Sequence, residues 1–292
     1  MCGIIGIASS KPVSMNIINS LKRLEYRGYD SAGLATLSKN EISEKKCSGR
    51  VEELEKILFK TPSDGNLGIG HVRWATHGIP SVVNAHPHSS EVVSVVHNGI
   101  IENSDEIKKR LELKGLKFKS QTDTEVITIL ISEALKDNEP LESVFNTLKQ
   151  LRGSFALGII FKNHKDIIIG ARRGSPLAVG YSSIENYLGS DSYALKSMTN
   201  KISYLDDGDL CVLSKDKVEF YDVNKKKINK KVYTLSDDEN ISDKGDYKNF
   251  MSKEIFEQST TAKNCINEYI DSLKQDINIY DFPLKPEKIN KI

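Results

Sequence analysis

The spacing of apolar residues predicts alternating strands and helices along the first hundred positions. An apolar run at residues 2–8 is typical of a buried strand, and residues 13–26 carry apolar side chains at helical spacing. A helix is also predicted at 51–59. Further strand-like runs lie at residues 33–37, 67–73 and 92–101.

The pattern then changes to helices and afterwards returns to strands. Helices are predicted at 104–114, with Ser104 as the N-cap, at 124–136 and at 141–151. The strands that follow are predicted at 155–161, 166–171, 177–181, 187–190, 210–214 and 218–221. Strands, then helices, then strands indicate a layered α+β domain.

The character of the chain changes from about Val232. An acidic stretch at 236–246 precedes an amphipathic segment at 247–273 and a basic tail. We therefore predict one domain over residues 1–235 and a linker that opens a further region over 236–292. The lysine-rich residues 224–231 contain no aromatic side chain that could stack on bases, which favours a solvated hairpin tip.

Composition narrows the functional classes. The chain has 292 residues, of which 38% are hydrophobic, and its 41 Lys and Arg nearly balance its 40 Asp and Glu. With charges so nearly balanced, no strong electrostatic attraction to nucleic acid or to an anionic membrane surface is expected. No run of eighteen apolar residues occurs, so neither a membrane span nor a secretion signal is expected. The four scattered cysteines form no CxxC pair, which favours a reducing, cytoplasmic setting.

Cys2 is the first candidate for chemistry. Removal of Met1 would place a thiol and a free α-amine on one residue, which together form a minimal nucleophile and base. The amine titrates near about 7.7–8.0 and the thiol near about 8.5, so both exchange protons close to neutral pH. Because any protein can carry Cys at its second position, the surrounding motifs must decide.

Three further motifs supply groups that suit an amino-acid substrate. In HVRWATHG (71–78), Arg73 offers a planar fork matched to a carboxylate, and Trp74 lies in a loop able to cover a pocket. Asn98 and Gly99 provide a side-chain amide and an unhindered backbone N–H, as an oxyanion hole requires, although Asn-Gly is also a favoured type I′ hairpin turn. Asp123 stands where it either caps a helix or binds a cationic group. With Arg73 it would complement an α-carboxylate and an α-amine.

Metal and nucleotide sites are disfavoured. His86 and His88 form an HxH pair, but a proline separates them and no third ligand stands at a recognisable spacing. They are interpreted as packing or loop-ordering residues. Gly65, Gly68 and Gly70 precede a strand and not a helix, and no Walker A sequence occurs. No cofactor is expected.

Ordered blocks of sequence resemble a known family. These blocks are MCGIIGI, LEYRGYDSAG, HVRWATHG, HNGIIEN and QTDTE, followed by ARRGSPLAVG, GSDSYAL and LDDGDLCVL. They resemble the glutaminase domain of the glucosamine-6-phosphate synthase family, a class II glutamine amidotransferase, over about the first 235 residues. Other class II amidotransferases share the nucleophile but lack the YRGYDSAG and RWATHG motifs.

The resemblance implies a fold and a role for each matching residue. The implied fold is the N-terminal-nucleophile hydrolase fold, a four-layer αββα sandwich with two antiparallel sheets. Cys2 would attack the side-chain amide of L-glutamine to form a glutamyl thioester, and Asn98 and Gly99 would hold the oxyanion. The remaining implied site residues are Arg73 and Asp123 on the substrate's charged groups, Trp74, Thr76 and His77 around the pocket, and Arg27 ordering the site.

The resemblance also implies a second activity, which the family carries in isomerase domains. FMSKEIFEQ (250–258) resembles the linker to the isomerase domains, and Ser259 replaces the proline usual after it. We expect the chain to end before the isomerase half. That half would act on fructose 6-phosphate and, if it exists, would lie on a separate chain. A homo-oligomer is compatible with the sequence. The alternatives are a non-catalytic remnant, a glutamine-binding regulatory subunit, or an amidase with another substrate.

Overall fold

A computed structural model describes residues 2–235, 247–248, 250–271 and 276–277. The chain forms two compact units, Met1–Asp237 and Asp238–Ile292. The strands of the first unit are β1 (Gly3–Ala8), β2 (Ser31–Ser38), β3 (Glu41–Ser48), β4 (Leu67–Arg73), β5 (His88–Ser89), β6 (Val93–Ile101), β7 (Gly153–Phe161), β8 (His164–Arg173), β9 (Ala178–Tyr181), β10 (Asn186–Gly189), β11 (Lys201–Tyr204), β12 (Leu210–Leu213), β13 (Val218–Tyr221), β14 (Lys227–Ile228) and β15 (Tyr233–Thr234). Its helices are α1 (Ser14–Leu24), α2 (Val51–Lys60), α3 (Ser104–Glu112), α4 (Thr124–Ala134), α5 (Pro140–Leu148) and α6 (Ser192–Leu195).

Two antiparallel sheets form the centre of this unit. The first sheet has eight strands in the order β15-β11-β9-β10-β1-β4-β2-β3, and the second has seven in the order β14-β13-β12-β8-β7-β6-β5. The strand β1 lies in the middle of the first sheet, between β10 and β4. Strands β6 and β7 pair over nine residues in the second sheet.

Three apolar clusters define the layers. Ile4, Ile69, Val96, Ile160 and Leu188 belong to the cluster between the two sheets. A second cluster packs α1 and α2 on the outer face of the first sheet, and a third packs α3, α4 and α5 on the outer face of the second. Strands with both faces covered bury nearly every residue, as β1 and β4 do. The result is the predicted four-layer αββα sandwich.

The structure departs from the predictions at one helix start and in several short or polar elements that were not predicted, namely β3, β5, β11, β14, β15 and α6. Ser104 is the first residue of α3 and not its N-cap, which is Asn103; the Asn103 side chain instead donates to Gln150 O and accepts from Arg152 N. Strand β3 was not predicted, because its sequence EISEKKCS is polar. It lies at the sheet edge, where only Cys47 is buried.

The second unit contains the helix α7 (Phe250–Tyr269) and a short antiparallel pair, β16 (Ile270–Asp271) and β17 (Asp276–Ile277). The segment predicted to be amphipathic thus includes a helix. The acidic stretch 236–246 lies outside the described residues, and so does the basic tail apart from residues 276–277. In the described part of the chain, no helix has both the length and the apolar character needed to cross a bilayer.

Candidate active site

Cys2 lies at the entrance to β1, beside the end of β4. The antiparallel register pairs Gly3 with Val72, which places Cys2 next to the residues that follow β4. Its Sγ lies 3.2 Å from the backbone nitrogen of Trp74, which donates to it, and 3.5 Å from the backbone oxygen of Trp74. Two neighbouring strands therefore hold the thiol against the backbone of one residue, Trp74.

Burial raises the pKa of the Cys2 thiol, because a thiolate loses solvation there. The Trp74 backbone hydrogen bond and the positive charge of Arg73 act in the opposite direction, and the Asp123 carboxylate adds to the rise. The thiol is thus kept protonated until a base takes its proton. That requirement matches a nucleophile activated by its own α-amine.

Asn98 and Gly99 face Cys2 from the second sheet. Asn98 Nδ2 donates to Cys2 O at 3.0 Å, and the side chain is buried. The hairpin-turn alternative is wrong, because both residues lie inside β6, paired with Ala156 and Phe155 of β7. Gly99 has φ +131°, and a Cβ there would come within 2.1 Å of Ser154 O. Only glycine fits this backbone.

Arg73 is buried at the end of β4, and part of its guanidinium has no partner. Nη2 donates to His77 O and, at 3.4 Å, to Gly78 O. Nη1 makes no hydrogen bond within the described residues, although it is buried. Desolvation lowers the pKa of Arg73, while Cys2, Asp30 and Asp123 raise it. An arginine remains charged under such conditions, so Nη1 is a charged donor that suits an anionic group.

Asp123 occupies the N-cap of α4, but its side chain does not cap that helix. Its Oδ2 instead accepts from the backbone nitrogen of Ile101, the last residue of β6, at 2.8 Å. Asp123 therefore occupies the predicted capping position, but it does not make the capping hydrogen bond. The carboxylate is tied to the strand that carries Asn98 and Gly99.

A cleft of about 330 Å³ brings most of the predicted site residues together. It is lined by Cys2, Arg27, Trp74, Thr76, Asn98, Gly99, Ile100, Ser154, Ser175 and Pro176. Arg73, His77 and Asp123 do not line it. Thr76 and His77 are exposed on the loop after β4, where Thr76 Oγ1 lies 3.3 Å from His77 Nδ1.

The two remaining predicted residues form the rim of the cleft. The Arg27 guanidinium forms an ion pair with Asp191 at 2.5 Å and lies 5.5 Å from the Tyr26 ring. Asp191 also caps α6 by accepting from the Ala194 nitrogen. The Trp74 ring is 45% exposed and makes an edge contact with Tyr29. A large exposed aromatic ring beside the nucleophile is available to cover a bound substrate.

Four buried histidines lie next to the cleft and are called the histidine cluster: His71, His86, His88 and His97. Thr124 Oγ1 lies 2.7 Å from His86 Nε2 and 2.9 Å from His97 Nδ1, and Thr122 Oγ1 lies 2.8 Å from His88 Nε2. The hydroxyls on either side of Asp123 are thereby fixed. Within the described residues, no group of three or more His, Cys, Asp or Glu is arranged to hold a metal ion.

Sequence reasoning missed three residues that shape the site. His71 contacts Asn98, Asp30 accepts from the Ala75 nitrogen at 2.8 Å, and Gly28 packs against the peptide between Arg73 and Trp74. All three belong to blocks that carried the family resemblance. Their contacts join residues distant in the sequence, so no local pattern signals them.

Comparison with known proteins defines the class. Residues 73–197 match the family of glutamine amidotransferase domains. The fold resembles that of glutamine phosphoribosylpyrophosphate amidotransferase from B. subtilis, with a TM-score of 0.68 at 23% identity over 76% of this chain and 49% of that chain. The chain therefore contains a glutamine amidotransferase domain with the N-terminal-nucleophile hydrolase fold.

More similar relatives narrow the assignment. The chain is 45% identical, over all of its length, to glutamine–fructose-6-phosphate aminotransferase [isomerizing] of Mesorhizobium japonicum, and covers 48% of that protein. It is 46% identical over 93% of its length to the enzyme of the same name from Brucella abortus, of which it covers 45%. The chain thus spans about half the length of these curated relatives, and it matches their glutamine amidotransferase half.

Proposed function

We propose that this chain hydrolyses the side-chain amide of L-glutamine through Cys2, as the amide-donating half of glucosamine 6-phosphate synthesis from fructose 6-phosphate. The observation that carries the proposal is the meeting of the Cys2 thiol, the Asn98 amide and the Gly99 backbone in one cleft. A nucleophile and amide donors that line one cleft are the minimum that acyl transfer needs.

The reaction begins with proton transfer from the thiol. After Met1 is removed, the Cys2 α-amine accepts the Sγ proton through a water molecule, and Sγ attacks the side-chain carbonyl carbon of glutamine. The carbonyl oxygen becomes an oxyanion held by Asn98 Nδ2 and the Gly99 N–H. Each such donor contributes about 2.7–4 kcal/mol to the transition state.

Collapse of the intermediate releases ammonia. The α-ammonium returns its proton to the leaving nitrogen as the C–N bond breaks, which leaves a glutamyl thioester on Cys2. Water then attacks the thioester with the α-amine as base, a second oxyanion forms in the same place, and glutamate departs as Sγ regains its proton. The Sγ atom is unchanged over the cycle.

Substrate recognition rests on opposite charges at the two ends of the amino-acid group. Arg73 Nη1 is a buried charged donor with no partner in the described residues, and we assign it to the α-carboxylate. Asp123 takes the α-amine with the carboxylate oxygen that Ile101 does not use. Thr76, His77 and Trp74 close over the substrate from the loop after β4, and the Arg27–Asp191 pair orders the rim.

The wider role follows from the relatives' names and is part of the proposal. We assign residues 1–235 to the glutaminase domain and 236–292 to the linker and the start of the isomerase region. Fructose 6-phosphate would bind to the isomerase half, on the same or a separate chain, and a homo-oligomer would be compatible with this arrangement. A cytoplasmic location keeps the nucleophile reduced, and the four cysteines are free.

The test is glutamate release from glutamine by the purified protein, with Cys2→Ala as control and intact mass to verify that Met1 is gone. We expect release that the Cys2→Ala change abolishes. No release despite a free Cys2 amine would overturn the proposal and favour a glutamine-binding regulatory role. Cleavage of other amides but not of glutamine would favour an amidase.

A further inference from the structure

The buried side chain of His71 links the two sheets beside the nucleophile. His71 lies on β4 of the first sheet, between Ile4 of β1 and Gly33 of β2, and is fully buried. Its Nε2 lies 3.0 Å from His97 O and 3.1 Å from Asn98 Oδ1, both on β6 of the second sheet. The nucleophile enters from the first sheet and Asn98 from the second, so His71 connects the elements that carry them.

The contacts run from His97 O through His71 Nε2 and the Asn98 amide to Cys2 O. The two backbone carbonyls at the ends determine which atoms between them carry protons. His97 O can only accept, so His71 Nε2 must carry a proton. The Asn98 atom next to that N–H must therefore be the acceptor Oδ1. At the other end, Cys2 O also can only accept, so the Asn98 atom 3.0 Å from it must be Nδ2. One orientation of the Asn98 amide satisfies both ends, and the flipped orientation satisfies neither.

The surroundings of His71 keep it neutral. Burial lowers its pKa to about 3, and the nearby His97 and Arg73 also disfavour a second proton. The His86 ring lies 4.2 Å away, and Nδ1 has no partner within the described residues. A protonated Nδ1 would be a buried donor without an acceptor, which is costlier than an unused lone pair. The geometry thus selects the Nε2–H tautomer at neutral pH.

We propose that His71 is a positioning residue for amide hydrolysis, holding the Asn98 side chain with Nδ2 directed at the reacting carbonyl. This inference rests on the proposed function. A flipped Asn98 would present Oδ1 to the developing oxyanion, and repulsion would replace stabilisation. Because the oxyanion exists only in the transition state and intermediates, the effect falls on kcat and not on substrate affinity.

A matched pair of variants separates orientation from packing. The glutamine of His71→Gln and the methionine of His71→Met have side chains of similar length. Only the glutamine carries an N–H donor. We expect kcat to fall roughly 10- to 100-fold in His71→Met, with KM within about twofold, and largely to recover in His71→Gln. His164→Gln, on β8 and outside the cleft, controls for the loss of a histidine. Equal kcat in all four proteins, or equal losses in the Gln and Met variants, would overturn the role.

Two further readouts do not depend on glutamine turnover. The rate of Cys2 alkylation should be the same in His71→Met and the unmodified protein, because the thiol contacts are untouched. ¹⁵N NMR of the full chain should show His71 protonated on Nε2 and unchanged between pH 5.5 and 8.5. A proton on Nδ1, or titration in that range, would overturn the inference whether or not glutamate is released. Absence of glutamate release from the unmodified protein would overturn the proposed function, and with it a role of His71 in amide hydrolysis, while the NMR result would still test the tautomer that orients Asn98.

Discussion

Replacing Gly28 by alanine would push a methyl group into the peptide that holds the nucleophile. A Cβ on Gly28 would lie 2.5 Å from the carbonyl carbon of Arg73 and 2.7 Å from the nitrogen of Trp74. Gly28 itself has φ 177°, which any residue adopts, so the perturbation is one of space alone. The contacted atoms are backbone, and no side-chain rotation can relieve the clash.

The size of the effect follows from these distances. Reaching an ordinary carbon–carbon contact requires a displacement of roughly 1 Å. The Trp74 nitrogen lies 3.2 Å from Cys2 Sγ, so a displacement of this size away from Sγ breaks the hydrogen bond. A hydrogen bond to a charged group contributes about 1.5–3 kcal/mol, and one pKa unit corresponds to about 1.4 kcal/mol. We expect the pKa of Cys2, already raised by burial, to rise further, because the hydrogen bond that favours the thiolate is lost.

The assay is the pH dependence of Cys2 alkylation by iodoacetamide, followed by the mass of the N-terminal peptide, because the exposed Cys265 is also alkylated. At pH 7 we expect alkylation in Gly28→Ala to be about tenfold slower, because the thiolate fraction is smaller. Gly115→Ala is the control: its φ of +84° makes alanine strained, but no atom lies within 4 Å and the residue is outside the cleft. A folded Gly28→Ala protein with an unchanged alkylation profile would show that the Trp74 hydrogen bond does not set the thiol pKa.

Three further perturbations test other parts of the structure. Burial lowers the pKa of every member of the histidine cluster below its value in the unfolded chain. Below about pH 6.5 the unfolded chain therefore binds more protons than the folded protein, and the free energy of unfolding falls as the pH drops. The loss is at most about 1.4 kcal/mol per pH unit for each histidine. Urea midpoints between pH 7.5 and 5 measure it, and a flat profile would contradict it. Arg73→Lys loses the planar fork, so KM for glutamine should rise about tenfold or more in saturation kinetics with little change in kcat; an unchanged KM would remove Arg73 from carboxylate binding. Gly99→Ala should lower the free energy of unfolding by about 3 kcal/mol or more, because φ is +131° and the added Cβ meets Ser154 O. Chemical unfolding measures it, and a stability equal to that of the unmodified protein would refute this account.

Much of the fold was predictable because its pattern is local. Strands such as β1 and β4 are apolar throughout, and α1 has a clear helical stripe, so short windows of sequence suffice to find them. Strand β3 escaped because a polar edge strand has one neighbour and little to bury. Strand β11 was also missed, because only Ile202 and Ser203 of its four residues are buried and it contributes a single apolar side chain to the core.

The site divides in the same way. Residue types in short motifs, together with the family resemblance, pointed to Cys2, Arg73 and Asn98. What no motif contains is the contact between a residue of β4 and one of β6, or between Asp123 and the end of β6. These depend on how two sheets stack, and stacking is decided by the sum of many apolar contacts. The capping alternative for Asp123 fails for this reason: its carboxylate accepts from a tertiary partner, the Ile101 nitrogen, and not from the first turn of α4.

The central place of β1 has a consequence for the protein as it leaves the ribosome. The first strand made is bordered by β4 and by β10, and the latter is completed only at Gly189. Asn98 in turn depends on β7, which ends at Phe161. Translation adds roughly 5–20 residues per second. The nucleophile therefore waits on the order of ten seconds or more for its surroundings, and a nascent chain cannot release ammonia before most of the domain has been synthesised.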